Sequence, residues 1–275
     1  MQVPQALASW KRLSNISGWF SFEATMMFAL IDEVQKANGI TGNLFEIGTH
    51  HGRSAVLLAN MLAPSQEKLA VCDIFEQQGE NVSHSGSGNR KIFEQNVCAQ
   101  LPRTEALQVF ACLSDQLTAE QIGNGYRIFH IDGGHNTHEA LGDLRLAAKT
   151  LTPGGVIILD DAFRDVWPGV SEALLLFLQE SPDFAGLALG FNKMLFTHRA
   201  SIEIYRQKLL DRTQLAEYHI RFPWHVKQVP LAGSDVLIYY VPESLKRRSI
   251  SNLSRGLAHS WGQRRLPIVT KSVSR

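Results

Sequence analysis

The chain has 275 residues, of which 44% are hydrophobic and 19% charged, with a formal net charge of +1. That composition suits a globular protein with a sizeable core. Residues 246–275 hold eight of the 27 basic residues and no acid, so residues 1–245 carry a net charge of −7, which argues against a nucleic-acid-binding body. Apolar runs such as Met26 to Ile31 and Val156 to Leu159 are too short to span a bilayer. The opening Met1-Gln2-Val3-Pro4-Gln5 has neither the basic nor the apolar part of a secretory leader. Three cysteines (Cys72, Cys98 and Cys112) cannot all pair and read as free thiols of a cytoplasmic protein.

Residues 1–40 read as a helical lead-in. Trp10, Leu13, Trp19, Phe20 and Phe22 make it aromatic. Met26, Met27, Leu30, Ile31 and Val34 recur at helical spacing, and Asn38-Gly39 ends the run. The stripe reads as core packing, with a place over a binding site as the alternative. Leu44 to Ile47 is a first strand, followed by a turn with Gly48 and Gly52 and a helix over 54–61, which Pro64 stops. A second strand, 69–72, ends at Asp73. Residues 76–90 form a polar, Gly/Ser-rich insertion that is either a surface loop or a lid. A helix over 91–101 leads to a third strand, 107–111, and then to Ser114-Asp115. After a short helix and a turn at 123–125, a fourth strand over 127–131 ends in Asp132-Gly133-Gly134-His135.

Asn136 and Glu139 have capping-box spacing for the next helix, whose apolar face is Leu141, Leu144, Ala147, Ala148 and Leu151. Pro153-Gly154-Gly155 predicts a turn, and a fifth strand over 156–159 runs into Asp160-Asp161. Helices over 171–179 and 202–210 follow. Between them, 187–189 and 194–197 can pair antiparallel around Gly190-Phe191-Asn192. A strand over 236–241 has no evident place. The plan is therefore a lead-in (1–40), a main domain (41–200), an extension packed on it (201–245) and a basic tail read as flexible (246–275).

Strand–helix alternation predicts an α/β protein with a mostly parallel sheet and helices on both faces. Such sheets bind ligands outside the carboxyl ends of their strands, at the topological switch point. Five strand ends carry polar groups: Glu46-Gly48, Asp73, Ser114-Asp115, Asp132 to His135, and Asp160-Asp161. A dinucleotide fingerprint needs glycines where this chain has His50 and Arg53, which disfavours a nicotinamide-dependent oxidoreductase.

Three motifs in order, Phe45-Glu46-Ile47-Gly48-Thr49-x-x-Gly52-x-Ser54, Ile131-Asp132-Gly133-x-His135 and Leu151-x-Pro153-Gly154-Gly155-x-Ile157-x-x-x-Asp161, resemble the class I S-adenosylmethionine (SAM)-dependent methyltransferases. Within them the chain is most similar to small-molecule O-methyltransferases typified by macrocin O-methyltransferase. The resemblance covers about residues 40–200, and His50 departs from the widespread three-glycine loop. It implies a Rossmann-like, seven-stranded fold, SAM as methyl donor, and a sugar-like or polyhydroxylated acceptor.

Glu46 can serve the donor's ammonium and Asp73 its ribose hydroxyls. Gly48, Thr49, Gly52 and Ser54 complete the donor loop, and Ser114 and Asp115 are the adenine-side candidates. Ser54 could equally cap its helix. Asp132, Asp160 and Asp161 form an acidic cluster suited to Mg²⁺, a metal that the resemblance also implies. His135, with Asp132, is the candidate catalytic pair, His135 acting as general base; Arg164 is a weaker candidate for holding an anionic group. The expected partner is a small-molecule acceptor, without nucleic acid or membrane and with homo-oligomerisation possible. The rival readings are a SAM-fold protein without methyltransferase activity and the oxidoreductase. A nucleic-acid methyltransferase has only the basic tail in its favour.

Overall fold

The computed structural model describes residues 1–64, 66–82 and 84–245; the tail expected to be flexible, 246–275, lies outside them. Two helices lead in, α1 (Val3–Leu13) and α2 (Phe22–Ala37). Then come β1 (Asn43–Ile47), α3 (Arg53–Met61), β2 (Leu69–Cys72), α4 (Arg90–Cys98), β3 (Leu107–Phe110), α5 (Ala119–Ile122), β4 (Tyr126–Ile131), α6 (Thr137–Thr150) and β5 (Leu151–Asp160). The chain continues through α7 (Pro168–Glu180), β6 (Phe184–Gly190), β7 (Lys193–His198), α8 (Ile202–Leu210), α9 (Arg212–Glu217), β8 (His225–Leu231) and β9 (Ser234–Tyr240).

The sheet order is β3-β2-β1-β4-β5-β7-β6-β9-β8. β1 to β5 are mutually parallel, and β7 enters antiparallel between β5 and β6. The order reverses between β1 and β4, which makes their carboxyl ends the switch point. The fold class is the α/β, Rossmann-like one expected from the sequence, but the sheet has nine strands among the described residues instead of seven. The two additions cover what would be an open edge at β6. β9 pairs with it in parallel through Ala188↔Leu237 and Leu189↔Ile238, and β8 closes the hairpin. The strand expected over 236–241 without a place is β9. The turn expected at Pro153-Gly154-Gly155 is absorbed into β5 as an irregularity in its register with β4, Gly154 taking a φ of +77°.

Alternation along the strands sorts the core into two layers. Leu44, Ile128, Val156 and Ile158 face α1, α2, α3 and α8, whereas Phe45, Ile47, Phe129, Ile131, Ile157 and Leu159 face α6 and α7. The helical stripe of the lead-in is core: Met26 to Ile31 are all buried on the sheet. Ser21 caps α2 by accepting from the Ala24 amide at 3.1 Å. One buried charge fastens α2 to the sheet. Arg127 of β4 is fully buried, pairs with Asp32 at 2.7 Å and Glu67 at 2.7 Å, and donates to Gln35 at 2.9 Å.

Candidate active site

A cleft of about 660 Å³ opens at the carboxyl ends of β1, β2, β3, β4 and β5. Gly48, at the end of β1, has a φ of +80°, and a Cβ there would collide with the carbonyl of Asp132. Only glycine lets the β1 turn pass so close to the β4 end. Gly52 (φ +85°) caps α3 in place of Ser54. Asp73 ties the turn down: its Oδ2 accepts from the amides of Thr49 and His50, both at 2.7 Å, and its Oδ1 from Phe75 at 2.6 Å.

The residues expected to hold the donor divide into two groups. Gly48, Asp73, Ser114 and Asp115 line the cleft. Glu46, Thr49, Gly52 and Ser54 are buried and not among the lining residues. Glu46 points to the α2 face, because β1 and β4 pair Glu46 with His130. There Glu46 Oε1 lies 2.8 Å from His130 Nδ1, and Phe20 and Phe28 pack edge-on against the imidazole. Burial pushes the Glu46 carboxyl up to about 8, with Ser54 and Lys193 partly offsetting it. Burial, aided by Lys193, pulls His130 down to about 3.

A pH dependence follows. Glu46, raised above its ordinary value of 4.5, contributes stability that is present below that value and lost as pH rises through about 8. His130, depressed below 6.5, contributes stability above 6.5 that is lost as pH falls through about 3. Glu46→Gln should therefore flatten the decline in stability between pH 5 and 8.5, a difference on the order of 3 kcal/mol at the alkaline end. Urea midpoints at the two pH values measure it; an unchanged slope would refute the assignment.

The acids converge, though not as one set. Strands β4 and β5 are neighbours, and Asp132, His135, Asp160 and Asp161 all line the cleft. One trio of donor atoms within 4.8 Å of one another comes from Asp132, His135 and Asp161, another from His130, Asp132 and Asp160. Asp160 also has a cationic partner that the sequence did not suggest. β5 pairs Asp160 with Lys193 of β7, and the buried Lys193 ammonium bonds Asp160 Oδ2 while lying 4.8 Å from the Phe20 ring centroid. Asp161 begins the turn after β5 with a φ of +59°, a conformation that aspartate tolerates. That turn is what lets two consecutive acids face one cleft.

Burial would raise the Asp161 carboxyl, but hydrogen bonds from His135, Asn192 and Arg164 outweigh it and hold the group well below the usual range. Asp132 moves the other way: burial and the neighbouring Asp160 push it well above its ordinary value, against the pull of Lys193.

His135 sits in a hydrogen-bonded chain. Its Nε2 lies 3.0 Å from Asp161 Oδ2 and its Nδ1 3.0 Å from Ser85 Oγ, and Trp167 stacks on the ring with centroids 4.1 Å apart. Ser85 belongs to the insertion read as a loop or lid. Gln78, Asn81, Val82, Ser85, Gly86, Ser87 and Gly88 all line the cleft, so the insertion covers it. At the mouth stands Trp19, 76% exposed. Arg164 donates to Asp161 at 2.9 Å and so orients an acid.

Sequence reasoning missed Ser85, Trp167, Asn192, Lys193 and the Glu46–His130 pair. The β6–β7 hairpin was legible, and its β7 end carries Asn192 and Lys193. No local signal says that β7 lies against β5 and so delivers them to Asp160 and Asp161.

Residues 45–162 match a protein family described as a methyltransferase domain. No curated protein matches the sequence significantly. Among solved structures, the chain is similar to the O-methyltransferase NovP, with 13% identity over 63% of this chain and 80% of that one and a TM-score of 0.53. It is also similar to an O-methyltransferase from Bacillus cereus in complex with SAH, with 17% identity over 71% and 90% of the two chains and a TM-score of 0.50. At these identities the likeness establishes the fold.

Proposed function

We propose that the protein, whose residues 45–162 match a family described as a methyltransferase domain and whose fold is similar to that of solved O-methyltransferases, transfers the methyl group of SAM to a hydroxyl of a small, sugar-like or polyhydroxylated metabolite. One observation carries this reading: the chain Asp161–His135–Ser85 presents a hydroxyl to an imidazole inside the cleft. Asp161 holds the Nε2–H tautomer, which leaves Nδ1 as acceptor where Ser85 Oγ now sits. An acceptor hydroxyl taking the place of Ser85 would give its proton to Nδ1, and its oxygen would attack the donor methyl. The donor would lie along Gly48, Asp73, Ser114 and Asp115, which line the same cleft. The two solved relatives are both O-methyltransferases by name, and one holds SAH.

A divalent ion fits beside this arrangement through two carboxylates and an imidazole, those of Asp132, Asp161 and His135. Asp160, the third ligand expected for Mg²⁺, already has its countercharge in Lys193. When bound, such an ion would polarise the acceptor hydroxyl as a Lewis acid. His135 cannot be ligand and base at once, so chelation separates the two readings.

Calorimetric titration with SAM, followed by turnover of polyhydroxylated acceptors with Mg²⁺ and with EDTA, tests both. Absence of SAM binding would refute the transferase. Turnover that survives EDTA removes the metal, and turnover lost to EDTA and restored by Mg²⁺ or Mn²⁺ requires one, with Mn²⁺ affinity in His135→Ala then deciding whether His135 is a ligand. In the second case Asp132→Asn should weaken Mn²⁺ binding, followed by electron paramagnetic resonance, about tenfold or more.

A further inference from the structure

Lys193 is a cation buried among acids. It opens β7, and the antiparallel register pairs it with Asp160 of β5. Backbone pairing, not a flexible reach, therefore delivers its ammonium to that carboxylate. The residue is 3% exposed. Phe20 closes it off on the lead-in side, with its ring centroid 4.8 Å from Nζ. Taking an ammonium out of water is costly unless an anion and good geometry meet it, so a lysine here needs a reason.

The inner trio of His130, Asp132 and Asp160 supplies one. Each of the three offers a donor atom within 4.8 Å of the others. Glu46 holds His130 Nδ1 at 2.8 Å, the way a carboxylate orients a metal-ligating imidazole. His130 Nε2 is buried without a hydrogen-bond partner. Two carboxylates and an oriented imidazole have the make-up of a metal centre, but Asp160 is already engaged at both oxygens. Its Oδ2 takes the Lys193 ammonium. Its Oδ1 accepts from the Asp161 amide at 2.9 Å and from Asn192 Nδ2 at 2.8 Å.

We propose that the Lys193 ammonium is the resident cation of this inner trio, standing in for a divalent ion, and that it confines metal binding to the outer trio of Asp132, His135 and Asp161. Lys193 is then a positioning residue. Through Asp160 it fixes the turn that carries Asp161, whose Oδ2 lies 3.0 Å from His135 Nε2. A covalently held charge cannot dissociate, so the balance of charge at the β4 and β5 ends does not depend on the free-ion concentration.

The test is Mn²⁺ affinity by electron paramagnetic resonance in wild type, Lys193→Met and the double variant Lys193→Met/Asp160→Asn, with thermal melting as the check on folding. Neither SAM nor acceptor is present, so a failed transferase reading leaves the inference standing. Lys193→Met should bind Mn²⁺ about tenfold or more tightly than wild type, because the positive charge beside the trio is gone. Mn²⁺ should also raise its melting temperature more than that of wild type. The double variant keeps the net charge of wild type, and neutral replacement of a buried ion pair often preserves the fold. Its Mn²⁺ affinity should return to the wild-type level.

Lys193→Met with wild-type Mn²⁺ affinity overturns the proposal. So does a folded double variant that binds Mn²⁺ more weakly than wild type, since Asp160 would then be a ligand despite Lys193. Should Lys193→Met unfold by itself, Mn²⁺ should restore its melting transition; a chain that stays unfolded with the ion present counts against the assignment.

Discussion

Replacing His135 by alanine is expected to lower kcat about a hundred- to ten-thousand-fold while leaving SAM affinity within a few-fold of wild type. On the proposed mechanism the imidazole takes the acceptor's proton and has no part in donor binding. It lies between Asp161 and the hydroxyl of Ser85, whereas the residues proposed for the donor are Gly48, Asp73, Ser114 and Asp115. Asp161→Asn should reproduce part of the loss, because the amide no longer stabilises the imidazolium that forms when His135 takes the proton. Its hydrogen bonds to Asn192 at 2.5 Å and Arg164 at 2.9 Å mark a carboxylate held for that task.

The two variants should not add, since both disable one proton path. Ser85→Ala separates the roles further: it removes the hydroxyl that occupies Nδ1 but not the base, so turnover should persist. Steady-state kinetics with calorimetric SAM binding decide the matter. A His135→Ala enzyme with wild-type kcat would mean that the histidine only orders its loop.

Arg127→Met is expected to cost about 3–5 kcal/mol of stability, the largest effect of any single change away from the cleft. The guanidinium is fully buried and bonds two acids, with Nε to Glu67 Oε1 at 2.7 Å, Nη2 to Glu67 Oε2 at 2.9 Å and Nη1 to Asp32 at 2.7 Å. Nη2 also donates to the Met61 carbonyl at 3.0 Å. Methionine fills similar volume, so the loss reports uncompensated charge rather than a cavity. Burial would raise Asp32 and Glu67, and Arg127 reverses that for both.

The linkage has a definite sign. Both carboxyls are depressed in the folded protein, so the stability they contribute is present above their unfolded values, near 4, and is lost as pH falls through their folded values. The gap between wild type and Arg127→Met should therefore be widest at neutral pH and close as pH drops below about 4. Urea unfolding at pH 7 and at about pH 2.5 measures it. A gap independent of pH would mean that packing, not the ion network, is what the substitution disturbs.

Much of this molecule is written in local sequence. Alternating short apolar runs and amphipathic helices specify the α/β class and the first five strands, because side-chain period and turn residues are properties of neighbouring positions. The polar strand ends are legible for the same reason. A parallel sheet delivers every strand terminus to one edge, so Asp73, Ser114, Asp115, Asp132, His135, Asp160 and Asp161 could be placed at a common cleft before any coordinates.

What the tertiary structure alone decided is which side chains meet. Sheet register set Glu46 beside His130, on the helix-covered face, and so away from the cleft where its strand-end position suggested it belonged. The antiparallel seating of β7 against β5 brought Lys193 to Asp160, and the strand ends gathered the acids into two overlapping trios, Asp132–His135–Asp161 and His130–Asp132–Asp160. The β8–β9 hairpin took the edge beyond β6, raising the strand count above the expected seven. The physical reason is common to all three. Register and strand order depend on long-range pairing and on the packing of whole faces, and no single stretch of chain carries that information.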